Sequence, residues 1–366
     1  MTRAFRFAID HYLFLPVGAA VALSWANNWP ASYFTFAHRV SFMVNDVGMA
    51  LFFALMTREV VEAAAPDGAL HTWRRLMLAV AAASGGCLGA VLVYLGYLQM
   101  GDESSVLAPG WPIVCATDVA FTYFVASNIC SQRVIPFLVL TAIVSNAIGL
   151  VVLELRYPIG EIHAGAGIAL SMVAITAAVV MRRCDVRSFW PYVLVSGAIS
   201  WFGLFLTGLH PALALVPIVP FLPRTSRTRR FMVDAPLGAR DALSRFHRTW
   251  KYPGHLVLFM FGLTNAGVVL RGVGTGTWAI AIAALAGKPA DMIVVALVSS
   301  TGFTVALFFA TVAFPVGPVL NEAKLGALLT IGVSVLATAV AKLLRAGRFA
   351  ERAVRRRASA PEYVGV

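Results

Sequence analysis

Charge is what this sequence has least of. Asp, Glu, Lys and Arg together supply 13% of its 366 residues, about half the share found in soluble globular domains. With 59% hydrophobic residues, the chain cannot cover a folded body in polar groups, so its outer surface must face lipid. Cysteine is scarce too. Cys87, Cys115, Cys130 and Cys184 fall in or beside apolar runs without a CxxC spacing, which argues against a zinc or redox site and leaves them as small core residues. No Ser/His/Asp set or metal-ligand cluster falls at membrane depth, and His11, His38, His71, His163, His210, His247 and His255 all read as lying near span ends or in loops. An enzyme is therefore not expected, nor is a cofactor. The sequence also lacks a phosphate-binding glycine loop, a low-complexity tract and any stretch resembling a soluble domain. Its first apolar run has no small-residue cleavage site, so no cleavable signal is expected.

What the chain does have is long apolar runs. Hydrocarbon offers no partner to backbone N–H and C=O groups, so a spanning chain must be helical or form a closed barrel. The runs are continuous and about 20 residues long, not alternating ten-residue segments, which selects helices. Apolar windows predict spans near 11–27, 41–63, 75–98, 110–130, 134–155, 162–181, 189–206, 208–222, 253–270, 275–288, 291–314 and 322–344. The expectation is an all-α membrane protein of about 12 transmembrane helices, with a transporter-like domain over 1–345 and a basic tail over 346–366.

A net charge of +12 would by itself suggest nucleic acid, but its distribution argues otherwise. Arg3, Arg6, Arg74, Arg75, Arg133, the Arg182–Arg187 group, the 223–252 loop and the tail from Arg345 to Arg357 fall on one side of the predicted spans. Arg39, Arg156, Arg271 and Lys324 fall on the other. Cytoplasmic loops carry the Lys/Arg excess, which predicts cytoplasmic termini and makes 223–252 the largest inner loop. The tail reads first as topology charge and second as a contact for anionic lipid headgroups. A nucleic-acid partner is not expected.

Several spans are short or interrupted by Gly and Pro, notably 110–130, 208–222 and the 275–314 pair. Broken helices mark ion sites in transporters built from inverted repeats, because half-helix ends present free backbone groups to an ion. Ionisable residues at membrane depth are costly and are functional candidates by default. Here they are Asp46, Arg58, Glu59, Asp118, Lys288 and Asp291. Arg58 and Glu59 read as lying near a helix end within reach of water.

The segment Cys115-Ala116-Thr117-Asp118-Val119-Ala120-Phe121 resembles the ATDxAF stretch of NhaA-type sodium/proton antiporters. Asn45-Asp46, Phe52-Phe53 and Glu59-Val60 resemble that family's NDxxMxxFF…EV segment, and Gly208 to Leu213 its GxHxxL. Leu263 to Val268 is similar to its xNAGV, Gly287-Lys288-Pro289 to its GKP, Gly302-Phe303-Thr304 to its GFT, and Ala323 to Gly326 to its AKLG. The motifs keep the family's order along nearly the whole chain. The resemblance implies a multi-pass protein of the bacterial inner membrane with inverted repeats and broken helices. Its implied partners are Na⁺ or Li⁺, protons and membrane lipid. It places Asp118, Thr117, Asp46, Lys288 and Glu59 on the ion and proton pathway, with Asp118 offsetting positive half-helix ends. A homodimer is left open, because Trp29 to Ser41 is shorter than the β-hairpin that some members use to dimerise.

Two departures from the family pattern bear on mechanism. The family's fifth span carries adjacent aspartates that exchange cation for protons, whereas Phe137 to Val144 leads here into Ser145-Asn146. Both offer neutral oxygen to a hard cation, and neither titrates. In addition, only about a dozen residues separate Pro289 from Gly302, which predicts a short span and places Lys288 near an interface. The expected activity is Na⁺/H⁺ antiport through an altered ion site, slower than in the family at large. The alternatives are a transport-inactive paralogue acting as a membrane scaffold or partner-binding protein, and an uncoupled permeation pathway.

Overall fold

Helix follows helix through the computed structural model of the chain, which describes residues 14–63, 72–100, 104–130, 134–156, 163–224, 241–270, 274–286, 302–314 and 317–343. Helix α1 (Phe14–Asn28) ends just before Pro30, which opens α2 (Pro30–Phe42) in the first turn, where its missing N–H has no partner to lose. The chain then runs through a π-helical segment, Met43–Gly48, into α3 (Met49–Ala63). The stretch Trp29 to Ser41, compared from sequence with a dimerising β-hairpin, is helical from Pro30 onward and there belongs to a 33-residue run from Pro30 to Glu62.

Helix α4 (Trp73–Leu98) leads to the first break. A 3₁₀ segment, Ala108–Cys115, contains Pro112, the extended residues 116–118 follow, and α5 (Val119–Ile129) begins. Next come α6 (Ile135–Arg156), α7 (Ala164–Arg183) and, after a π-helical turn at Tyr192–Ser196, α8 (Gly197–Thr207). Gly208 ends α8 with φ +77°, a left-handed conformation that glycine adopts without strain. The predicted span 208–222 is not a helix. It holds two 3₁₀ turns, Pro211–Leu213 and Val219–Phe221, joined by turns. Irregular backbone at this depth is tolerated because protein surrounds it: Ala212, Ala214, Ile218 and Leu222 are all buried.

The remaining helices are α9 (Ala242–Asn265), α10 (Thr275–Ala286), α11 (Phe303–Ala313) and α12 (Pro318–Leu343). Helix α9 starts inside what the sequence suggested was loop, because Asp241 caps it by accepting from Ser244 N at 3.1 Å. Helices α1 and α9 pack with backbones nearly touching. A Cβ on Gly262 would meet Leu15 O at 2.6 Å, and one on Gly18 would collide with Phe259 O. Close approach of this kind is how helices gain packing contact where lipid removes the hydrophobic drive.

Four helices among the described residues are long and apolar enough to cross a membrane alone: Pro30–Glu62, Met77–Leu98, Ala164–Arg183 and Pro318–Val340. Their outward faces are apolar. Helix α7 exposes Ile168, Met172, Val173 and Val180, and α4 exposes Leu88 and Leu92. Water would penalise such a surface and hydrocarbon does not. Helix α11 runs through the interior instead, with every residue from Phe303 to Ala310 buried.

Candidate ion site at the helix crossing

Asp118 is the residue on which the crossing is built. It sits in extended conformation as the N-cap of α5, and its Oδ1 accepts from Phe121 N at 2.9 Å. Its Oδ2 accepts from Thr304 N at 3.1 Å and also from the Thr304 hydroxyl. Thr304 is the second residue of α11, so one carboxylate stands against the N-terminal ends of two helices, where the aligned peptide dipoles favour negative charge. The approach is close. A Cβ on Gly302 would lie 2.6 Å from Ala116 O, so the extended segment passes α11 at a point that admits only glycine.

Helix α6 delivers the two residues that stand where the family resemblance implied aspartates. Asn146 Oδ1 accepts from Thr117 N at 2.9 Å, and Asn146 Nδ2 donates to Thr117 O at 2.6 Å. The amide thereby supplies both partners that the interrupted helix leaves open at Thr117. Ser145 Oγ donates to Cys115 O at 3.2 Å and lies 3.3 Å from Cys87 Sγ. Thr117, Asp118, Ser145 and Asn146 are all buried. The structure brings these four together.

The other sequence candidates lie elsewhere. Asp46 is partly buried on the π-helical segment. Its neighbour Asn45 exchanges amide hydrogen bonds with Asn265, Asn265 Nδ2 donating to Asn45 Oδ1 at 2.7 Å and Asn45 Nδ2 to Asn265 Oδ1 at 3.3 Å. Glu59 belongs to a separate charged group. Arg58 Nη1 pairs with Glu59 and Nη2 with Glu62 at 2.8 Å. The expectation that water relieves Arg58 and Glu59 does not hold, since both are buried and pairing offsets their charges. Lys288 and Asp291 lie outside the described residues, as does the tail 346–366.

Further readings change as well. His255 is buried within α9 against the Phe14 ring, and His210 is buried against Phe308. Cys184 is exposed, whereas Cys87, Cys115 and Cys130 are core residues. Sequence reasoning gave no role to Thr304 or to Tyr33. The Tyr33 hydroxyl meets Leu263 O and Thr264 O at 3.0 Å and accepts from Gly267 N at 3.0 Å, holding the chain where α9 ends. Only a hydroxyl or amide beside an apolar Gly-containing break hints at such roles.

Beside the crossing lies a cavity of about 390 Å³, walled by Phe52, Phe53, Val60, Ile143, Leu213 and neighbouring apolar side chains, with Asn146 and Thr57 among its lining.

Irregular backbone buried in a helical membrane body, with two helix N-termini meeting on one carboxylate, defines a secondary-transporter fold of the broken-helix class. Residues 10–298 match the family described as Na⁺/H⁺ antiporter 1. A protein of Pelobacter propionicus named Na⁺/H⁺ antiporter NhaA 1 is 36% identical over 365 residues, covering 90% of this chain and 95% of its own length. NhaA antiporters of Geobacter metallireducens and Geotalea uraniireducens are 37% and 38% identical over 91% and 90% of this chain and 96% and 94% of their own. The solved structure of the sodium proton antiporter MjNhaP1 from Methanocaldococcus jannaschii covers 92% of this chain and 91% of its own with TM-score 0.54, and at 13% identity it shares the fold. The chain belongs to the NhaA family of Na⁺/H⁺ antiporters.

Proposed function

We propose that this protein exchanges Na⁺ or Li⁺ against protons across the bacterial inner membrane, with both termini cytoplasmic, through an altered site centred on Asp118. The observation that carries the proposal is the Asp118 carboxylate, buried between the N-termini of α5 and α11. A dry cation site needs negative charge to offset lost hydration, and Asp118 supplies it at the crossing. Thr117 and Ser145 add neutral oxygens of the kind a hard cation accepts. Asp46, Glu59 and Lys288 are proposed for the proton pathway on the family resemblance. The reading of the chain as a transport-inactive scaffold is not favoured, because relatives matching about nine tenths of it carry antiporter names.

The exchange is slow in this reading. Asn146 cannot release or take up a proton, and both ends of its amide are engaged with Thr117. Asp118 must loosen three hydrogen bonds to meet an ion. Proteoliposomes carrying a pH-sensitive dye test this. Weak Na⁺- or Li⁺-dependent dequenching is expected from the wild type, abolished by Asp118→Asn and increased by Ser145→Asp/Asn146→Asp. A wild type silent with both cations across the pH range would refute exchange as its activity.

A further inference from the structure

The cavity of about 390 Å³ is enclosed by α3, α6 and the irregular 208–222 segment, and its wall reaches the crossing. Val119 follows Asp118, Val305 follows Thr304, and Asn146 is bonded to Thr117. Among the described residues that line it, none is charged. The two polar ones are turned to other partners. The Thr57 hydroxyl donates to Phe53 O at 2.8 Å, and the Asn146 amide is held on both sides by Thr117. A hydrated ion would find nothing here to replace its water, and voids with apolar walls stay dry. Part of the wall is aromatic: the Phe52 and Phe53 rings meet edge to face with centroids 5.6 Å apart.

We propose that this cavity is a binding site for an uncharged, membrane-soluble aromatic molecule of about 12–15 carbon atoms. The volume sets the size. An apolar cavity of roughly 150 Å³ holds one benzene, so 390 Å³ admits a molecule of two fused or linked rings. The walls set the chemistry. They offer no charge and no free polar group to a polar ligand, and they present ring edges and faces on which an aromatic guest packs well. Leaving lipid for protein gives such a guest no hydrophobic gain, since lipid tails are as apolar as the wall. Dispersion favours occupancy instead, because atoms that line a void lack contacts on one side. A phospholipid tail would bring a phosphate headgroup with it, and no Lys or Arg lines the cavity to receive one. A bound guest would rest on Val119 and Val305, next in sequence to the two residues that meet at the crossing. The proposal does not depend on whether the chain exchanges Na⁺, because it is read out as binding.

The test uses the full chain in phospholipid nanodiscs and a photoreactive lipophile, trifluoromethyl-phenyl-diazirine, with labelled positions read by peptide mass spectrometry. Labels are expected on α3 between Phe52 and Val60 and on α6 between Ile143 and Leu150. Excess biphenyl should abolish them while leaving the labels on the lipid-facing side of α7 unchanged. Ala147→Phe, whose ring would reach into the cavity, should lose the α3 and α6 labels and keep those on α7. Val216→Phe fills the same space from the irregular segment and gives a second variant should the first not fold. Labels on α3 and α6 that biphenyl leaves in place would be ordinary lipid exposure and would overturn the site. So would the absence of label there, the outcome if a phospholipid tail fills the cavity. Both of these readouts come from the wild type and need no variant to fold.

Discussion

Asn146 and Thr117 are joined edge to edge, side-chain amide to main chain, by hydrogen bonds of 2.9 and 2.6 Å running in opposite directions. Such a pair needs one acceptor and one donor on the same planar group. An amide always has both, and a carboxyl group has both only while protonated. At this position asparagine therefore stands in permanently for a protonated aspartate.

That equivalence predicts the behaviour of Asn146→Asp. While its carboxyl is protonated the variant keeps the pair. Once the proton is lost, the carboxylate faces Thr117 O with no donor, at a cost of about 1–3 kcal/mol. Its stability should thus be near wild type at low pH and fall as pH rises. Unfolding midpoints across pH, compared with those of the wild type, measure this. Parallel profiles for the two proteins would count against the pairing.

Removal of the Arg58 charge should be severe. Arg58 is 1% exposed and is paired with Glu59 and Glu62, so Arg58→Met leaves two crowded carboxylates in a buried setting. The expected loss is about 3–5 kcal/mol. The triple variant with Glu59→Gln and Glu62→Gln should recover most of it. Monodisperse yield after heating distinguishes the two.

Gly302→Ala should open the crossing. Its Cβ would press on Ala116 O at 2.6 Å, a main-chain atom that cannot swing aside, and overpacking of this kind costs about 1–3 kcal/mol or more. Gly332→Ala in α12, where a Cβ meets nothing within 4 Å, should be neutral or stabilising by up to about 1 kcal/mol. Thermal stability of the two alanine variants gives the comparison, and equal effects would contradict the close approach.

Topology is open to a direct measurement. A single cysteine placed by Ala235→Cys in an otherwise cysteine-free chain is expected to react only with reagents that reach the cytoplasm, on the proposed topology in which the Lys/Arg-rich 223–252 region faces inward. Labelling from the periplasm alone would invert the orientation.

Membrane residence and the order of most spans were legible in the chain, because twenty-residue apolar runs admit few other solutions in lipid. The break before α5 was legible too. Pro112 and Asp118 interrupt an apolar run in a way that local chemistry makes costly to ignore. Hydropathy failed at 208–222, where buried irregular backbone and a spanning helix have the same apolar composition. It missed the start of α9 because a capped polar helix carries no apolar run. The pairing of Arg58 and the meeting of Asp118 with Thr304, 186 residues apart, belong to the tertiary structure alone. So does the role of Asn146, whose partners 29 residues away are main-chain atoms. Every residue carries those atoms, so no side-chain pattern announces which of them will be left unpaired at a break.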